Sequence, residues 1–77
     1  LTERDRMSEF MMLGLRLVRG ISFEDFKTRF GKDFFSVYGN TAEKFAALGL
    51  LEFSNGRCRL TERGIDVSNA VMCEFIL

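Results

Sequence analysis

The sequence predicts a small, mainly helical domain carrying one two-stranded antiparallel hairpin. Three observations predict it. Asn55-Gly56 is a two-residue type I′ turn signal set between apolar segments. Four other stretches place apolar residues at helical spacing. Capping pairs such as Thr2 with Asp5 and Ser22 with Asp25, together with Gly20, Gly31 and Gly49, mark helix starts and stops.

The first helix is expected from Thr2 to Arg19, with Thr2 and Asp5 as capping box and Gly20 as the stop. Its apolar stripe is Met7, Phe10, Met11, Gly14, Leu17 and Val18. Gly14 sits in mid-stripe at a cost of about 1 kcal/mol in helix propensity, which a close approach by another helix would offset. Met12 falls outside the stripe near Arg16, and Leu13 lies at the opposite margin.

Ser22 and Asp25 open a short second helix that ends at Phe30-Gly31, with Phe23, Phe26 and Phe30 along one side. A third helix is expected from Phe34 to Leu48, with Phe34, Val37, Tyr38, Phe45 and Leu48 as its apolar set. Gly39-Asn40-Thr41 is a candidate break within it. Centring the hairpin on Asn55-Gly56 then sets Phe53 opposite Cys58, Glu52 opposite Arg59 and Leu51 opposite Leu60. Thr61 caps a fourth helix expected to continue to the chain's end on a stripe of Ile65, Met72, Phe75 and Ile76. Ser68 and Asn69 interrupt that stripe, while Val67, Ala70, Val71 and Cys73 spread apolar character around the cylinder. A helix apolar on most sides is buried on most sides, so a partner surface beyond the domain's own core is expected. The whole reads as winged-helix-like, about four helices plus a two-stranded wing, with Phe10, Leu17, Phe26, Phe45, Leu51, Phe53 and Phe75 holding the core.

A chain of 77 residues has room for one domain that buries roughly 60% of its unfolded surface. Nine Phe within 47% hydrophobic residues supply a core without disulfide or metal staples. Cys58 and Cys73 lack CxxC spacing and no secretory signal is legible, so free thiols and a cytoplasmic setting are expected. The apolar runs are too short for a membrane span. Because the chain starts at Leu1 directly on helix-forming residues, it is read as a segment of something longer.

Histidine is absent, which removes the commonest general base and the commonest metal ligand together. Two cysteines alone close neither a four-ligand zinc site nor an iron–sulfur cluster. No P-loop or GxGxxG occurs. The expectation is therefore no catalytic, cofactor-binding or metal-binding residue in this chain. Eleven basic residues balance eleven acidic ones, so no global field draws in phosphate. Arg57 and Arg59 lie on the wing, but Arg59 faces Glu52 and the third helix carries Glu43 beside Lys44. Neutralising about six phosphates needs a denser basic face, which argues against nucleic acid. Three residues remain as candidate interdomain or ligand contacts. Arg16 lies opposite the first helix's stripe with Met12 nearby, and Asn69 falls among core positions of the last helix, where its amide needs partners.

Two segments carry a further signal: Glu9-Phe-Met-Met-Leu-Gly-Leu-Arg-Leu-Val-Arg-Gly-Ile21 and Leu60-Thr-Glu-Arg-Gly-Ile-Asp-Val-Ser-Asn-Ala-Val-Met-Cys-Glu-Phe75. With Phe26-Lys-Thr-Arg-Phe-Gly31, Tyr38 and Leu48-Gly-Leu-Leu51 in order between them, the chain resembles the C-terminal domain of oxygen-independent coproporphyrinogen III oxidases and their haem-chaperone relatives. The wording of LGLRL and SNxVxxEF is closer to the haem-chaperone branch. The resemblance implies a parent with an N-terminal radical S-adenosylmethionine barrel, whose C-x-x-x-C-x-x-C motif holds a [4Fe–4S] cluster capped by S-adenosylmethionine. That motif is absent here, so cluster, cofactor and radical chemistry would belong to the barrel. Residues 1–77 would then be a C-terminal accessory domain that packs on the barrel and helps cover the site of a tetrapyrrole, haem or coproporphyrinogen. In that frame Met12, Arg16 and Asn69 are candidate contacts to the barrel or the tetrapyrrole. Two rival readings stand beside it: a winged-helix DNA-binding regulator, and an interaction module docking through its apolar last helix.

Overall fold

In the computed structural model, which describes residues 1–77, the domain is mainly helical with a small antiparallel sheet. The elements run α1 (Glu3–Gly14), β1 (Ile21–Ser22), α2 (Phe23–Phe30), α3 (Phe34–Ala47), β2 (Leu51–Ser54), β3 (Arg57–Leu60), α4 (Glu62–Asp66) and α5 (Ser68–Cys73). The expected hairpin is present, in the expected register. Leu51 pairs with Leu60, Glu52 with Arg59 and Phe53 with Cys58, across a turn where Asn55 and Gly56 both take positive φ.

Thr2 and Asp5 form the expected capping box at the start of α1. The helix stops at Gly14, five residues short of Arg19. The reason lies in tertiary contact. A Cβ at residue 14 would meet Ile21 Cγ2 at 2.2 Å, so the glycine admits a strand residue where another helix had been expected. Beyond Gly14 the chain doubles back through tight turns, with the Leu17 N–H donating to Gly14 O and the Gly20 N–H to Leu17 O. Leu15 enters the core, and Leu17 and Val18 are left 49% and 86% exposed, against the expectation that both were stripe residues.

This return brings Ile21 and Ser22 alongside β3 as a third strand, giving the order β1-β3-β2 with Ile21 opposite Cys58 and Ser22 opposite Arg57. Two residues are too few for a period-2 pattern, so the sequence did not announce them. Gly20 makes the approach possible. It holds φ +73°, and a Cβ there would lie 2.0 Å from the Cys58 carbonyl oxygen.

Ser22 caps α2 by accepting from the Asp25 N–H, and Gly31 ends it in the left-handed conformation, as expected. α3 begins at an unanticipated cap, Asp33, whose carboxylate accepts from the Phe35 N–H. It then runs unbroken through Gly39-Asn40-Thr41. Gly39 and Ala42 are buried there, and packing of this face outweighs the glycine's propensity cost of about 1 kcal/mol. Leu48 becomes the C-cap and is 53% exposed, outside the core assigned to it.

The expected single last helix is two short ones. Val67, at φ −121° and ψ 29°, leaves helical geometry between α4 and α5. Met72 and Phe75 keep the core positions expected of them, and the two isoleucines of the stripe do not. Val71, Met72 and Phe75 are buried, whereas Ile65 and Ile76 are 58% and 55% exposed. The core itself is largely aromatic. Phe26 meets Phe34, Phe10 and Tyr38 edge-on, and Tyr38 and Phe45 both reach Phe75. Phe26, Phe45, Leu51 and Phe75 are buried as expected, and Phe10 packs against the cluster from its margin. Phe53 does not join them. Near the hairpin tip it is 38% exposed, with its ring against those of Phe23 and Phe35.

Candidate functional site

The turn that leaves α1, the two hairpin strands and the start of α4 enclose a cleft of about 540 Å³. Its floor is apolar and buried, formed by Leu15 and Met72. Its rim is apolar and exposed, formed by Leu17, Val18 and Ile65. Its polar wall holds Arg16, Glu62 and the ion pair that Arg59 makes across the strands with Glu52. Thr61 joins the cleft to the scaffold. Its hydroxyl donates to Gly49 O at 2.6 Å and accepts from the Gly64 N–H at 3.1 Å, so one side chain caps α4 and anchors it to the end of α3.

Of the three residues singled out in the sequence, only Arg16 lines this cleft. Met12 is half-buried and packs against the core, not clear of it. Asn69 is exposed in the first turn of α5, which corrects its placement among core positions. The break at Val67 ends the continuous helix on which that placement rested. Leu17, Val18 and Ile65 were read as core residues, and the structure makes them the rim instead. Each stood at a helical core spacing in the sequence, so no signal there marked them as rim.

A second, smaller cleft of about 340 Å³ opens on the other side of Leu17. Arg19, Arg29, Arg57 and Asp25 line it, over Phe10 and Leu13.

The remaining chemically notable groups sit in the core. Burial pushes the Cys58 thiol up to about 12, so it stays protonated and unreactive at neutral pH. Burial likewise raises the Tyr38 phenol above its ordinary value. Ser8 beside it opposes that rise, although the Tyr38 oxygen has no partner within hydrogen-bond geometry and the Ser8 hydroxyl donates to Arg4 O and accepts from the Leu77 N–H. Cys73 is exposed and lies apart from Cys58, and no three His, Cys, Asp or Glu side chains converge as ion ligands. These residues do not fit an iron–sulfur cluster, which takes about four thiolates. No helix is long and apolar enough to cross a membrane.

Comparison with known proteins gives two matches. The HemN C-terminal domain family matches residues 1–67, which span every element from α1 through α4. The protein "Heme chaperone HemW" of Lactococcus lactis subsp. lactis (strain IL1403) is 30% identical over 77 residues. That alignment covers the whole of this chain and 20% of the relative, so the chain spans about a fifth of the curated relative's length. No solved structure matches.

Proposed function

The chain belongs to the HemN C-terminal domain family, and we propose that it is the accessory C-terminal domain of a haem-chaperone-like, oxygen-independent coproporphyrinogen III oxidase-like protein. In this reading it packs on an N-terminal radical S-adenosylmethionine barrel and helps cover the tetrapyrrole site. The [4Fe–4S] cluster and S-adenosylmethionine belong to the barrel, and this chain supplies neither thiolates nor a catalytic base to them.

One observation carries the docking part of this reading. Leu17, Val18 and Ile65 form an exposed apolar rim over a buried apolar floor, with Arg16 and the Arg59–Glu52 pair at its edge. Apolar surface ringed by polar groups is the common form of a protein contact. The 20% coverage of the relative supports a larger partner in the same polypeptide. Arg16 is positioned to reach that partner. Met12 would act through the packing behind the rim, and Asn69 through the outer face of α5.

The element order α1-β1-α2-α3 followed by a hairpin supports the winged-helix-like reading. The cations a DNA-binding wing would use are partly committed elsewhere. Lys44 lies 3.3 Å from Glu74 and over the Phe45 ring, and Arg59 is paired with Glu52.

The test uses the longer polypeptide. Leu17→Lys with Ile65→Lys is expected to speed proteolytic release of this domain and weaken haem binding, with the domain's circular dichroism unchanged. Unchanged proteolysis and unchanged haem affinity together would reject the reading.

A further inference from the structure

The smaller cleft is lined by three arginines that come from three separate parts of the fold. Arg19 comes from the turn before β1, Arg29 from α2 and Arg57 from β3. Each is placed by structure that the fold needs anyway. Arg19 directly precedes Gly20, whose backbone is pressed against the Cys58 carbonyl. Arg57 stands opposite Ser22 in the β1–β3 ladder. The Arg29 guanidinium lies over the Phe10 ring, 5.6 Å from its centroid.

No carboxylate satisfies them. The three ion pairs of the chain engage Lys32, Lys44 and Arg59, and none engages Arg19, Arg29 or Arg57. Asp25 is the single acid in the wall, which leaves two positive charges in excess within a chain of zero net charge. Phe10, Leu13 and Leu17 add apolar side chains to the same lining, with Leu13 and Leu17 exposed to solvent. Leu17 also forms part of the apolar rim of the larger cleft, so the two clefts meet at that side chain.

We infer that this cleft is a carboxylate-binding site for an amphiphilic ligand whose apolar body rests on Phe10, Leu13 and Leu17. On the proposed function above, on which this inference rests, that ligand is a tetrapyrrole and the carboxylates are its propionates. Arginine suits the task, because its planar fork meets a carboxylate with two parallel N–H donors.

The experiment is a visible-absorption titration of the longer polypeptide with haem and with haem dimethyl ester, whose propionates carry no charge. The comparison is with a variant carrying Arg19→Gln, Arg29→Gln and Arg57→Gln. Haem is expected to bind the variant about tenfold more weakly or worse, and the dimethyl ester to bind both proteins equally. If the triple variant loses its circular dichroism, the three single Gln variants replace it, each expected to cost about threefold for haem alone. Equal haem affinity in wild type and variant overturns the site while leaving the domain's proposed role standing. A wild-type polypeptide that binds no haem overturns both. Equal losses for haem and its ester mean a structural role and overturn the site. Duplex DNA or anionic-vesicle binding abolished by the same substitutions means a phosphate reader, and also overturns it.

Discussion

Gly14 lies against Ile21 so closely that a Cβ on the glycine would stand 2.2 Å from Ile21 Cγ2. This contact ends α1, starts β1 and sends Leu17 and Val18 outward to the cleft rim. Gly14→Ala is therefore expected to destabilise the domain by about 1–2 kcal/mol, overpacking outweighing the gain in helix propensity. Urea denaturation measures it. In an Ile21→Ala background, which removes the clashing methyl, the same substitution should cost less. An unchanged cost would show that the contact is not the cause.

Two other glycines with positive φ separate backbone strain from collision. A Cβ at Gly56 meets nothing within 4 Å, so Gly56→Ala is expected to cost only about 1 kcal/mol. A Cβ at Gly20 meets the Cys58 carbonyl at 2.0 Å, and Gly20→Ala is expected to cost about 2–4 kcal/mol. Comparable midpoints for the two variants would contradict the close packing of β1 on β3.

Thr61→Ala removes both the α4 cap and the tie to Gly49, and should lower stability by about 1–2 kcal/mol. Thr61→Ser keeps the hydroxyl and should recover most of that loss in the same denaturation experiment. A Ser variant as weak as the Ala variant would place the effect in the methyl group.

Cys58 titrates from about 9 when unfolded to about 12 when folded. The folded state therefore holds its proton longer. This contribution is complete below pH 9 and falls by about 1.4 kcal/mol per pH unit as pH rises from 9 towards 12. Cys58→Ala should start less stable but lose stability less steeply above pH 9. Tyr38, raised in the same direction, adds to the alkaline loss.

The same burial separates the two thiols kinetically. Native protein should expose one thiol, Cys73, to an aromatic disulfide reagent, and release the second only on unfolding. Two fast equivalents would mean that the sheet around Cys58 opens readily.

Features written within a few neighbouring residues were legible in the sequence. The Thr2–Asp5 box, the Ser22 cap, the Asn55-Gly56 turn and the Leu51–Leu60 register each depend on hydrogen bonds or φ values local to the segment. The candidate site was less legible. Arg16 was singled out as lying opposite a stripe of α1, yet that helix stops at Gly14 and the turn after it sets Arg16 in the larger cleft; Asn69 was assigned to a continuous helix that Val67 interrupts.

By itself the sequence determined the mainly helical class, the hairpin with its register, and the aromatic side chains available to the core. The tertiary structure decided where α1 stops, that Ile21 and Ser22 become a third strand, and that Leu17, Val18 and Ile65 line a cleft. The physical reason is the range of the interactions. Caps and turns are satisfied within about four residues. The approach of Gly20 to Cys58 joins residues far apart in the chain, and becomes available only once both ends of the domain have come together.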